Sequence, residues 1–519
     1  MSTSLEFLLP SGLSADDLLA RARHEFRYHS DTPRTLQRTL YDSFDWRLHA
    51  NNSILEDTRD GNEHTLVWRT LKGNQSDARL KLQKAPRFAQ DLPQGQFRDR
   101  LEPVLEMREL TPKVRVRSRI NTLRILNKDD KTVAYLVVEE STLLQQKGTR
   151  SMKLGDRAIV TPVKGYQKPC RQLAGHLEKL GLAAANDDLM LLALSTIGVT
   201  PGTYSSKLNL TLDPAMRADR ASKAILHRLL DIMLQNEAGT RKGTDTEFLH
   251  DYRVAVRRTR SALTQIKAVF PKRIVDRYKT EFAWLGQITS PSRDLDVYLL
   301  TFDEYRDSLP AAMQADIEPL RDFLIRHQKA EHKAQLKAMD SARYRRLIKN
   351  WRTFLDEPVN ERTTVKNAGR PVIEVASKRI WSVYRLALRE GTAIHPETPA
   401  EALHELRKTG KKLRYLMEFF QSLYPAARIK VLIQALKLLQ DNLGNFQDYE
   451  VQVMTLKKFS HQMVAEGNVS PDTLLAMGML IDGLDRRQHQ AREEFADRFA
   501  NFSLPENQDR FRELFASSH

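Results

Sequence analysis

The hydrophobic pattern of the chain changes period near residue 215. Before that point, short runs rich in β-branched and aromatic residues occur at 39–46, 65–71, 113–120 and 132–138. Breaks at Asp60-Gly61-Asn62, Lys72-Gly73-Asn74 and Asn127-Lys128-Asp129-Asp130 separate several of them. Alternation bounded by such turn residues predicts strands. A helix is predicted over residues 14–26 with Ser14 as its N-cap, and two more over 172–180 and 189–197. This order predicts a small antiparallel sheet or barrel.

The segment 198–214 is rich in Pro, Gly, Ser and Thr and reads as a linker. Beyond it the apolar period is 3.6. Helices are predicted over 218–237, 247–270, 272–286, 293–306 and 313–354, then over 371–390, 399–423, 426–443, 447–466 and 471–499. Pro291, Pro310, Pro425 and Pro471 fall where the pattern changes, and are expected to open or interrupt helices. The expected division is residues 1–200, a linker at 201–216, and an all-helical region at 217–505 with halves near 217–357 and 370–500. Two packed bundles follow.

Two helical stretches share one layout: FLHDYRVAVRRTRSAL (248–263) and ALHELRKTGKKLRYLM (402–417). In the first, His250, Arg253, Arg257 and Arg260 lie on one stripe, beside an apolar stripe of Leu249, Tyr252, Val256 and Leu263. In the second, His404, Arg407, Lys411 and Arg414 lie beside Leu403, Leu406, Leu413 and Met417. A shift of 154 residues carries His250 to His404, Arg253 to Arg407, Arg258 to Lys412 and Arg260 to Arg414, and also Asp294 to Asp448, Asp296 to Glu450 and Val297 to Val451. Such an offset implies an internal duplication with a pseudo-twofold axis. It predicts that two cationic ladders meet at one groove, where Asp294, Asp296, Asp448 and Glu450 order the arginines by ion pairing, a catalytic acid pair being the alternative. For the two histidines, phosphate contact and a buried structural role are both open. A single basic stripe is ordinarily a solvated helix face; repetition beside the core seam argues against that here.

Composition narrows the partner. With 82 Lys+Arg against 66 Asp+Glu, the net charge of +16 favours anionic partners. Cys170 is the only cysteine, so no intramolecular disulfide forms, as suits a reducing compartment. The start lacks the pattern of a signal peptide, and the apolar run 189–199 is too short to span a membrane, so a cytoplasmic protein is expected. There is no Gly-rich phosphate loop and no Ser- or Cys-centred nucleophile motif. The basic stripes lack the interleaved aromatics on which single-stranded bases stack, which makes nucleic acid the second choice of partner.

The two stretches, followed by SRDLDVYL and LGNFQDYEV, resemble the CHAD family, the conserved-histidine α-helical domain. That resemblance implies two four-helix bundles with a basic central groove that binds inorganic polyphosphate. Carried over by motif, the groove residues are His250, Arg253, Arg257, Arg258, Arg260, His404, Arg407, Lys408, Lys411, Lys412 and Arg414, with Lys223 and Lys378 from the preceding helices. CHAD domains often follow a CYTH domain, the triphosphate-tunnel fold, and SLEFLLP, TLYDSFDWRL, TLVWRTLKG and AYLVVEES resemble its strands. The CYTH signature ExExK is absent, since Glu6 is the acid left on the opening strand. The resemblance therefore implies an α+β chain, a degenerate β-barrel-like CYTH-type domain followed by CHAD bundles. It implies a polyphosphate binder with no cofactor or metal, targeted to polyphosphate granules. Metal-dependent triphosphate or polyphosphate hydrolysis by the first domain is the alternative.

Overall fold

The computed structural model describes residues 4–71, 76–144, 151–185, 187–467 and 469–516. The Lys72-Gly73-Asn74 turn lies outside them. The chain divides into two compact units, Met1–Ser205 and Ser206–His519.

The first unit is an antiparallel sheet with helices packed on it. Its strands are β1 (Leu5–Leu8), β2 (Tyr28–Ser30), β3 (Arg34–Asp42), β4 (Ser53–Asp60), β5 (Glu63–Thr70), β6 (Ser76–Leu82), β7 (Thr111–Leu126), β8 (Thr132–Leu144), β9 (Met152–Pro162) and β10 (Ala183–Ala184). The order is β10-β1-β9-β8-β7-β3-β4-β5-β6, with β2 also paired to β7. Of the sheet and the barrel that the sequence allows, the open sheet is found: β10 and β6 remain its two edges. Along β7, Val114, Val116, Ser118 and Ile120 are buried while Arg115, Arg117 and Arg119 between them are exposed, the two-sided pattern of a half-covered strand. Helices α1 (Ala15–Glu25), α2 (Arg47–Ala50), α3 (Gln96–Leu105), α4 (Gln167–Lys179) and α5 (Leu189–Thr196) complete the unit. Ser14 caps α1 as expected, in a reciprocal box with Asp17. Leu18 and Leu19 of α1 and Leu173 and Leu177 of α4 join Leu123, Leu136 and Val160 in one core.

The second unit is helical: α6 (Ala218–Lys242), α7 (Thr246–Gln265), α8 (Lys272–Leu300), α9 (Phe302–Asp307), α10 (Glu318–Met339), α11 (Ala342–Asp356), α12 (Val372–Thr392), α13 (Ala400–Phe420), α14 (Ala426–Ala465), α15 (Pro471–Glu493), α16 (Phe495–Phe502) and α17 (Pro505–Phe515). The duplication is visible in the starts. Ala218 and Val372, Thr246 and Ala400, and Lys272 and Ala426 open matching helices, each pair 154 residues apart. The axis is visible too. Ala218 N–H donates to the Arg370 carbonyl (2.9 Å), and Val372 N–H donates to the Met216 carbonyl (2.8 Å). Under the repeat these two bonds are each other's image, and between them Arg217 and Pro371 pair antiparallel.

Two helices, α8 and α14, run through breaks that the sequence predicts. Pro291 lies inside α8, and residues 443–447 lie inside the continuous α14. Proline at 291 removes the N–H that would meet the carbonyl of Gln287, but Gln287 is exposed and water can serve that carbonyl. The stretch 313–354, by contrast, breaks at Asp340, where Ser341 caps the new helix by accepting from Tyr344 N–H. Leu208 and Leu212 of the segment before α6 are buried in the main helical core, as are Phe511 and Phe515 of α17.

Candidate functional site

The cationic ladders sit where the apolar seams put them. Leu249, Tyr252, Val256 and Leu263 of α7 and Leu403, Leu406, Leu413 and Met417 of α13 are all buried. Residues one position along each helix therefore border the core instead of facing away from it. Helices α7 and α13 pack on each other. Arg258 of α7 reaches across to Glu418 of α13 at 2.8 Å, and the same carboxylate lies 3.4 Å from Arg414. Lys411 of α13 is close enough to Arg257 of α7 to feel its charge. The two rows thus converge.

Some ladder members brace the helices. Arg253 donates from Nη1 to the Gly286 carbonyl and the Thr289 hydroxyl, and from Nη2 to the Ser290 hydroxyl, each at 2.9 Å. Burial, with Arg257 and Arg293 nearby, pulls its guanidinium down to about 10. In the second half Arg407 donates to Asp448 at 2.8 Å. His250 Nδ1 lies 3.1 Å from the Arg293 guanidinium, so it accepts there. His404 Nδ1 meets Gln447 Oε1, and Gln447 Nε2 donates to Glu450, an arrangement that puts the proton of His404 on Nδ1. Arg293 and Gln447 are again 154 residues apart. Each histidine ties its helix to the next one, which supports the structural role left open for them.

Four cations of the two helices have no hydrogen bond or ion pair among the described residues: Arg257, Arg260, Lys411 and Lys412. Arg257 is exposed, and Arg260 lies beside Gly286, where a Cβ would sit 3.7 Å from its Nη1. Lys411 is half-buried. Burial, then Arg407 and Arg257, drive its ammonium down to about 8, with Asp448 opposing the shift. Lys408 is spent locally on Glu405 at 2.8 Å.

The two weaker candidates part company. Lys223 donates to the carbonyls of Phe354 (2.6 Å) and Glu357 and lies 4.7 Å from the Phe354 ring, so it caps the end of α11. Lys378 is exposed on α12. Of the four acids expected to order arginines, Asp448 does so. Asp296 is buried and instead accepts from Gln328 at 2.9 Å, and Glu450 accepts from Gln447. Asp294 stands among Arg253, Arg293 and Arg257 without a direct ion pair among the described residues.

Residue-type reasoning missed Arg293, Ser290, Gln447 and Glu418. The offset could have found two of them, because both histidines meet a partner 43 residues downstream.

The first unit has its own charged cleft, of about 540 Å³, lined by Glu6, Arg38, Glu56, Arg69 and Asp188 among others. There the signs are matched. Arg38 lies 3.0 Å from Glu139 and 3.5 Å from Glu56, Arg69 lies 2.6 Å from Asp188, and buried Arg157 lies 3.8 Å from Glu6. Among the described residues no three His, Cys, Asp or Glu side chains gather as they must to hold a metal ion. A divalent ion does not fit carboxylates already held by guanidinium groups. No helix among the described residues is long and apolar enough to cross a membrane.

Residues 224–457 match the model of the CHAD domain family. An uncharacterised protein of Mycobacterium tuberculosis strain H37Rv, like its counterpart in strain CDC 1551, is 26% identical over 291 residues, covering 53% of this chain and 54% of the relative. The chain thus spans about half the length of the curated relatives it matches. Among solved structures, the CHAD domain from the plant Ricinus communis is 22% identical, covers 61% of this chain and 97% of that one, and superposes with a TM-score of 0.44. At the N-terminal end, a triphosphatase-active adenylyl-cyclase-type protein from Hippeastrum is 15% identical, covering 40% of this chain and all of that one at a TM-score of 0.27.

Proposed function

With residues 224–457 forming a CHAD domain, we propose that the helical unit binds inorganic polyphosphate in the trough between α7 and α13. The single observation that carries this reading is the closeness of Arg257 and Lys411, which come from opposite halves of the repeat and have no hydrogen bond or ion pair among the described residues. A linear polyphosphate bears about one charge per repeat and no bases, so its receptor needs a row of positive groups and little else. Arginine offers forked donors to phosphate oxygens, and lysine adds point charge. The braced residues, Arg253, Arg407, His250 and His404, hold the row in place. Such a grip would bring the chain to polyphosphate granules.

The proposal is of a binding module. Titrating long-chain polyphosphate and single-stranded DNA of equal charge against the full chain at one salt concentration tests it. Polyphosphate should bind more tightly, and its affinity should fall steeply with added salt. Equal affinities would overturn the polyphosphate reading in favour of a general polyanion surface. Phosphate release from tripolyphosphate with Mg²⁺ or Mn²⁺ is expected to stay at background, because the carboxylates of the first unit are held by Arg38, Arg69 and Arg157.

A further inference from the structure

Lys411, like Arg260 and Lys412, is half-buried and lacks a hydrogen bond or ion pair among the described residues; what sets it apart is that three guanidinium groups surround its amine. Its surroundings work against an ammonium. Arg407 and Arg414 come from its own helix and Arg257 from α7, with Asp448 of α14 set against them. Guanidinium groups stay charged throughout the physiological range, so the proton that can leave this cluster is the lysine's. A neutral amine is a nucleophile, and a lysine beside other cations is one recognised way to obtain it. The same guanidiniums are an anion trap. The Nε–H group of Arg407 is buried with no hydrogen-bond acceptor among the described residues, and an unmet donor of this kind favours an oxyanion that supplies one, whereas Arg414 Nε already faces Glu418 at 3.4 Å.

We propose that Lys411 is a site of covalent acylation by small acyl phosphates, whose phosphoryl group is held by the surrounding arginines while the amine attacks the neighbouring carbonyl. The C–N bond of an amide forms and the carbonyl C–O bond to phosphorus breaks. Inorganic phosphate leaves with the electron pair, and the surplus amine proton passes to water. Nothing is oxidised or reduced, and no further reagent is needed. The product is a neutral side chain where a cation stood. On the polyphosphate reading, this loosens the trough.

Acetyl phosphate is the probe. The full chain is incubated with it at pH 8, and peptide mass spectrometry follows each lysine with time. Lys411 should be acetylated on the order of tenfold faster than the exposed Lys378 and Lys437, because a larger share of its amine is unprotonated. Excess inorganic phosphate should slow Lys411 and leave the other two unchanged. Arg257→Ala, at an exposed position, should reduce the Lys411 rate and spare the rest. A Lys411 rate no greater than that of Lys378 overturns the proposal. So does a preference that ignores both inorganic phosphate and Arg257→Ala. The acetylated protein is then titrated with polyphosphate. If Lys411 is modified as expected and polyphosphate binds as before, the acylation stands and the trough reading fails.

Discussion

Both units of this chain bury arginines, but the helical unit, which pairs Arg258 with Glu418 and Arg407 with Asp448, leaves part of its cationic row unmatched. In the sheet, Arg38, Arg69 and Arg157 each face a carboxylate within 4.0 Å, so the charged cleft is balanced from within. In the helical unit, Arg253 is satisfied by a carbonyl and two hydroxyls, which anchor it without cancelling its charge. Arg257, Arg260, Lys411 and Lys412 are given no partner among the described residues. The difference separates stability from function. A matched set belongs to the fold, whereas an unmatched set stores repulsion that an outside anion can relieve.

The sharpest way to break this contrast is to unbalance the matched side. Glu139→Ala leaves Arg38, a largely buried guanidinium, with Glu56 alone at 3.5 Å. It should lower the stability of the first unit by about 4 kcal/mol, read by chemical denaturation, and leave polyphosphate binding intact. The reverse behaviour is expected on the unmatched side. The triple change Arg257→Ala, Arg260→Ala and Lys411→Ala should weaken polyphosphate binding by about 3 kcal/mol in a binding titration. The unfolding midpoint should not drop, since no buried seam residue is touched. A large loss of stability in the triple variant would show that these cations belong to the fold after all.

Lys411 makes the unmatched side sensitive to pH. Its amine is held at about 8 in the free protein, below the ordinary lysine range, and a bound polyanion would raise it. The complex then holds more protons than the free protein from about pH 8 upward. Affinity should therefore decline as pH rises through about 8, by at most about tenfold per unit, and Lys411→Arg should flatten the profile. The stability sign is opposite to that of a salt-bridged lysine. A depressed folded value means that protonation opposes folding, fully so below about pH 8 and less as pH climbs toward the ordinary value. Lys411→Met should accordingly raise stability at pH 7, by roughly 1 kcal/mol in denaturant melts. The smallest effect is expected at Lys408, already paired with Glu405: Lys408→Ala should change polyphosphate affinity less than about threefold.

What could be read from the chain follows the same physical lines. The three helix pairs and both ladders were legible because a 3.6 period and a fixed offset reinforce each other. Strands β4 and β9 were not. SILEDTRD places Glu56 and Asp57 inside the sheet, where Arg38 and His64 receive them, so charge sits where alternation expects an apolar residue. Pro291 misled because a helix tolerates one unpaired carbonyl at an exposed turn. Lys223 was misread for a different reason. Its acceptors are backbone carbonyls 131 and 134 residues further on, and no residue type advertises a carbonyl. The choice between sheet and barrel was left open, since closure depends on whether two edge strands meet and not on the pattern within either.

The small bridge at Arg217 and Pro371 carries a last implication. It marks the point about which one half of the helical unit is turned onto the other, so a guest laid across that point meets similar surroundings from left to right and from right to left. DNA and peptides have a sense of direction and would fit such a host in one orientation better than the other. A linear phosphate polymer reads the same from both ends, so either end can enter first.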